Sequence, residues 1–188
     1  MSNSIIRHLQ QYLGANIEKI DPNTQEIDPA NRHHRYDLLA QAAIPAVLTA
    51  FYKYSRSQAG AAEIAADEGK RAPLDYLLAK NKTPVVTNVA SYAGVSENYA
   101  SKVMDAIADE AVKFLRNTLG SAMNAENLQH YFASQRQSIL THLPADLRMG
   151  EILGDDTLDD RTNKMRGPAS GIAQAISGIL SSPGTKKE

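Results

Sequence analysis

Four aspartates, Asp155, Asp156, Asp159 and Asp160, crowd one short stretch near the C-terminal end of a 188-residue chain. They supply the hard oxygen ligands that calcium or magnesium takes, so the stretch reads as a candidate divalent-metal loop. It is not an EF-hand, because the alternating acidic positions, the central glycine and the closing glutamate are missing. Arg161, Lys164 and Arg166 follow closely and can neutralise the same carboxylates, which makes a solvated loop the competing reading. The five histidines are His8, His33, His34, His130 and His142, and no two stand four apart around a glutamate as in a zinc protease. Glu126 and His130 are four apart, where a helical di-iron pair needs three, and no second copy exists. These histidines are expected at the surface or at helix ends. Arg32-His33-His34-Arg35 could meet an anion at a helix start, although such a cluster is more often a solvated helix turn. With no cysteine, disulfides, thiolate nucleophiles and thiolate metal sites all drop out. No phosphate-binding glycine loop, no G-x-S-x-G elbow and no dinucleotide fingerprint occurs. The expectation is a protein with no catalytic residues and no cofactor.

The elements that would carry these residues are helices. Hydrophobic residues make up 43% and charged residues 22% of the chain, close to globular averages, which predicts a folded protein. Aromatic residues are only 6%, tryptophan is absent, and alanine is abundant in the apolar runs, a composition suited to closely approaching helices. No apolar run nears the roughly 18 residues of a membrane span. Arg7 and His8 interrupt the N-terminal apolar positions where a signal peptide needs continuity, so a cytoplasmic location is expected. The formal net charge of −1 provides no bulk attraction to nucleic acid.

Ser4 precedes a run with Ile5, Ile6, Leu9, Tyr12 and Leu13 on one face, and Gly14 follows, predicting a short amphipathic helix over 4–13. Asp21-Pro22 and Asp28-Pro29 predict an ordered loop over 16–31. Over 32–57 the positions Tyr36, Leu39, Ala40, Ala43, Val47, Ala50, Phe51 and Tyr54 fall on one side of a helix. Pro45 inside that run costs roughly 3 kcal/mol in a regular helix and predicts a kink or two helices. Further helices are expected over 59–67, 73–79, 84–93, 97–119 and 125–143, with Gly69, Asn81 and Gly94 as breaks. Ser96 is the expected N-cap of the longest one, whose buried stripe reads Ala100, Val103, Met104, Ile107, Ala111, Val112 and Leu115. Pro144 forces a break before a short turn over 145–153.

The string Val89-Ala90-Ser91-Tyr92-Ala93-Gly94-Val95-Ser96, followed by Ser101 and Val103, resembles the helix-turn-helix of lactose-repressor-type headpieces. That resemblance covers residues 89–103 and implies that Ser96, Glu97, Asn98, Tyr99 and Lys102 face DNA, with Lys80 and Lys82 nearby. Phosphate neutralisation needs several cations, however, and the second helix carries Glu97, Asp105, Asp109 and Glu110. The match also lies mid-chain, whereas such headpieces are N-terminal. The same string is a good helix stop followed by an N-cap.

A broader pattern, Ala42-Ala43-Ile44-Pro45-Ala46-Val47-Leu48, Gly60-Ala61-Ala62-Glu63-Ile64 and the stretch 86–119, resembles the YidB-like family of helical bacterial proteins of unknown function. The resemblance covers about half the chain and implies paired, alanine-rich helices with no catalytic residues. The aromatic segment 51–54 and the extra helix over 125–143 depart from it.

Beyond Gly154 the composition turns polar and acidic, then small. Ile172, Ile176, Ile179 and Leu180 share one helical face that could dock on the protein's own core or on a partner. The expected architecture is therefore all-α: a single multi-helix bundle-like domain over 1–153, and a C-terminal helical extension over 154–188. The expected function is non-catalytic interaction or self-association, with a protein partner or a second copy. A DNA-binding regulator and a divalent-metal-binding protein are the alternatives.

Overall fold

The computed structural model describes residues 4–20 and 35–158. Among them are eight α-helices, α1 (Ile5–Leu13), α2 (Arg35–Ser55), α3 (Gln58–Ala66), α4 (Pro73–Leu78), α5 (Lys82–Ala93), α6 (Glu97–Leu119), α7 (Ala125–Leu140) and α8 (Met149–Leu153). Short 3-10 turns at Ala79–Asn81, Gly120–Ala122 and Ala145–Leu147 connect them, and no strand occurs among the described residues. The protein is all-α and bundle-like. None of the described helices is long and apolar enough to cross a membrane.

The organising element is α2. Every residue from Leu39 to Phe51 is buried, because α1, α3, α4, α5, α6 and α7 all pack against this one helix. A helix that is apolar all round belongs at the centre of a fold, and α2 meets that description. The one-sided stripe expected from sequence is thus corrected. Ile44, Ala46 and Leu48 are as inaccessible as Val47 and Phe51, while Tyr36 leaves the stripe and is 39% exposed. Pro45 does not divide the run into two helices. Its missing N–H removes one backbone bond, and the surrounding close-packed side chains hold the helix on both sides of it.

One polar residue interrupts this interior with a purpose. The Gln41 side chain is 2% exposed; its Nε2 donates to the carbonyls of Glu18 (2.9 Å) and His142 (3.1 Å). Its Oε1 accepts from the Glu18 N–H at 2.7 Å. A buried amide satisfied in this way clamps the segment after α1 and the segment after α7 onto the central helix. The Ile20 N–H donates to the Thr141 carbonyl at 2.8 Å and closes the same junction.

Helix α1 docks through Ile5, Ile6 and Leu9, with His8 Nε2 2.8 Å from Glu110 Oε1 and its ring 4.7 Å from that of Phe114. Tyr12, expected on the buried face, is instead 49% exposed, because the helix ends one residue later and Gly14 turns the chain away. The limits of α6 match the sequence reading, and the Ser96 hydroxyl accepts the Tyr99 N–H as N-cap. Its stripe is buried as expected save half-buried Val103, and Ala108 and Phe114 join it. Helix α7 stops at Leu140, before the expected 143, although Leu143 is still buried.

Candidate functional site

The turn that suggested DNA binding is built as the sequence implies. Gly94 takes the left-handed conformation (φ 64°) that ends α5, and Ser96 starts α6. Ser96, Glu97, Asn98, Tyr99 and Lys102 are all exposed. The charge is another matter. Glu97 is the acceptor for the Thr87 hydroxyl at 2.8 Å, and the Ser96 hydroxyl is occupied by the cap. Lys82 is held by Asp75 (2.7 Å) and Asp105 (3.1 Å), leaving Lys102 on α6 and Lys80 ahead of α5 as the cations of the predicted face. Two cations and a carboxylate make a poor phosphate surface.

What the turn does hold is an aromatic patch. Tyr12 from the end of α1, Tyr36 from the start of α2 and Tyr99 from the start of α6 are the exposed large hydrophobic residues of the described chain. Tyr12 and Tyr99 both neighbour Tyr36. Burial raises the Tyr36 phenol above its ordinary pKa, and the neighbouring phenols of Tyr99 and Tyr12 and the Asp37 carboxylate push in the same direction. The Tyr36 hydroxyl donates to the Leu13 carbonyl at 2.9 Å, fixing the ring against the end of α1. Sequence periodicity assigned Tyr12 and Tyr36 to the core, so the patch was invisible until three separate elements were brought together.

The aspartate stretch is divided. Asp155 is buried, and its carboxylate accepts from Lys53 Nζ (3.1 Å), Arg56, the Thr157 hydroxyl (2.6 Å) and the Thr157 N–H (3.2 Å). Burial works against its ionisation; the Thr157 hydroxyl, Lys53 and Arg56 outweigh that and hold the carboxyl down at about 2. Those partners occupy the oxygens that a metal would need. Leu158 is 1% exposed and the Arg136 side chain donates to the Thr157 carbonyl at 2.9 Å, so the first residues past Leu153 belong to the packed body. Asp156 is exposed, and no cluster of potential metal ligands occurs among the described residues. Asp159 and Asp160, and the candidate partner face Ile172, Ile176, Ile179 and Leu180, lie outside the described residues, as do His33 and His34.

This anchor has a pH signature. The carboxylate is stabilised in the fold relative to the unfolded chain, whose aspartates titrate near about 3.9, so its contribution is complete above that pH. It is lost as pH falls through about 2. Asp155→Asn is expected to cost about 1–2 kcal/mol at pH 7, allowing for partly exposed cations. Thermal melts should show the gap between wild type and variant closing between pH 4 and pH 2 (about the window those two pKa values set). A gap of equal size at every pH would refute the anchor.

A second polar constellation, which sequence reading did not assemble, lies where α3 meets α4. The Tyr54 hydroxyl donates to Glu63, Arg71 also donates to Glu63, and the Tyr76 hydroxyl donates to Asp67 Oδ2 at 2.7 Å. The Tyr54 and Tyr76 rings are 5.7 Å apart, and the Arg71 guanidinium lies 4.9 Å above the Tyr76 ring. Its hydrogen bond to Glu63 pushes the Tyr54 phenol up, and the Tyr54 and Arg71 bonds hold Glu63 down. Burial, reinforced by Asp67, pushes the Tyr76 phenol well above its usual range. Both phenols therefore remain donors at neutral pH and both carboxylates are taken as acceptors. Such a network joins α3 to α4 and does not activate a nucleophile. In sequence only the four-residue spacing of Glu63 and Asp67 hinted at it.

Two cavities flank this tyrosine pair. One, of about 270 Å³, is lined by Glu63, Asp67, Glu68, Lys70, Arg71 and Tyr76 among others. The other, of about 550 Å³, lies between the end of α2, α4 and Leu153. The fold and these surfaces define an all-α protein wrapped round a central helix, with an aromatic patch near one end of that helix and a polar tyrosine network near the other. No protein-family model, curated protein or solved structure matches the chain.

Proposed function

We propose that this protein is a cytoplasmic interaction module that works without catalysis, and that its first partner is a second copy of itself. The observation that carries this reading is the convergence of Tyr12, Tyr36 and Tyr99 on one exposed surface. Tyrosine is enriched at protein interfaces because a rigid ring buries much apolar area at low entropy cost while its hydroxyl finds a polar partner. The elements that carry the three rings hold charges of both signs, with Asp37 in the first turn of α2 and Glu97 and Lys102 in the first turns of α6. A copy related by a two-fold axis therefore meets no wall of like charge, and a net charge of −1 offers little repulsion between chains.

Analytical ultracentrifugation across a concentration series tests this. Wild type is expected to dimerise in the micromolar range, and Tyr12→Ala/Tyr99→Ala to weaken the dimer by about tenfold or more, as loss of aromatic anchors does. Both positions are exposed, so the thermal midpoint should hold at concentrations below the dimer range. A monomer at every concentration would sink the reading. DNA retention at low salt, abolished by Lys102→Ala, would move the proposal to a regulator that uses the turn after Gly94.

A further inference from the structure

We infer that the larger cavity, between the end of α2, α4 and Leu153, binds a small organic anion, its charged head near Lys80 and Lys53 and its flat apolar body against Tyr54, Tyr76 and Leu78. The cavity has a volume of about 550 Å³, that of a small-molecule site, and is a cleft open to solvent on one side.

Its lining decides the sign of the ligand. Lys53 and Lys80 are its charged residues, and no carboxylate lines it. The neighbouring cavity, which shares Tyr76, is different: Glu63, Asp67 and Glu68 line it with Lys70 and Arg71. Glu63 and Asp67, the acidic partners of Tyr54 and Tyr76, line the smaller cavity and not the larger one, which both tyrosines line together with Lys53 and Lys80. Lys53 also bonds to Asp155, which holds its stem in place, while Arg56 shares that carboxylate and leaves the local balance positive. Lys80 is exposed and makes no ion pair among the described residues.

The body of the ligand follows from the apolar walls. Tyr54 and Tyr76 line the cavity with aromatic carbon, and Leu77, Leu78 and Leu153 line it with aliphatic carbon. The rim is strained: Ala79 adopts φ 46° and ψ −122°, a backbone conformation unusual for a residue with a Cβ. Such a conformation costs on the order of 1–3 kcal/mol and persists where surrounding structure enforces it, often at ligand sites. Here it sets the direction of Lys80 and Asn81 as the chain leaves α4.

The inference is independent of the tyrosine surface near the start of α2. Tyr36 and Tyr54 stand 18 residues apart on that helix, about 27 Å at 1.5 Å per residue.

Benzoate, benzamide and benzamidine share one flat ring and differ in the charge of the head, so they separate charge selection from apolar contact. Each is titrated into the full-length ¹⁵N-labelled chain while amide shifts are followed. Benzoate should move the amides of Ala79, Lys80, Asn81 and Leu153 saturably, and benzamidine should not. Lys80→Glu, at an exposed position away from the Asp155 anchor, should weaken benzoate by about tenfold, since it places a like charge beside the head. Its melting temperature should be unchanged. Benzoate shifts that fail to saturate at these amides, equal binding of benzamidine, or full benzoate affinity in Lys80→Glu would each overturn the site.

Discussion

Phe51→Ala is expected to destabilise the protein by about 3–5 kcal/mol, the usual cost of deleting a buried aromatic ring. Phe51 is fully buried on the central helix, and its ring stacks on that of Phe132 in α7 with centroids 5.7 Å apart and planes inclined by 9°. Tyr131 lies edge-on to Phe132 at 5.6 Å, so removal of the first ring strips one side of an aromatic cluster. The surrounding walls are helices fixed by many other contacts, so the space can close only in part. At about 2–4 °C per kcal/mol for a chain of this size, the melting temperature should fall by roughly 6–20 °C. Urea denaturation should show a lower midpoint at an unchanged slope. A loss under about 1 kcal/mol would mean that α7 is not held to α2 through this pair.

Gly60→Ala should be the next most damaging change, at about 2 kcal/mol or more, although alanine is the better helix former by about 1 kcal/mol. Gly60 is buried in the first turn of α3, where the chain doubles back on α2. A Cβ there would overlap the backbone carbonyl of Tyr54 and lie 2.8 Å from the Ser57 hydroxyl that caps the helix. A backbone carbonyl cannot swing aside as a flexible side chain can. The helix must shift, and α3 carries Glu63, the acceptor for Tyr54 and Arg71. The variant should therefore lose stability and also disturb the tyrosine network, seen as shifted amides around Glu63 and Arg71. A variant as stable as wild type would show that the start of α3 leaves room for a Cβ beside the Tyr54 carbonyl.

Local chemistry carried much of the fold in legible form. Ser57, Ser96 and Asn124 each offer a side-chain oxygen to the first turn of a helix, and Gly14 and Gly94 take the left-handed conformation at helix ends. These signals depend on residues three or four apart, which is why the limits of α6 could be read directly. Less legible was anything that depends on what lies across the chain. Periodicity reports that a residue is apolar and on a given face, not whether a neighbour covers that face. Tyr12 and Tyr36 fit helical stripes yet are exposed, while Ile44 and Leu48 lay off the expected stripe of α2 and are buried.

The sequence by itself determined an all-α protein, the positions of most helix ends and the absence of cysteine chemistry, because composition, capping and 3.6-residue periodicity are local properties. Only the tertiary structure decided that α2 is central, that Pro45 lies within one helix, and that Gln41 bridges segments 23 and 101 residues away. It likewise turned Asp155 from a candidate metal ligand into the partner of Lys53 and Arg56, and set Tyr54 against Tyr76. The physical reason is the same in each case. A charge, an amide or an aromatic ring acquires its role from the group that desolvates or pairs with it, and that group is distant in the chain.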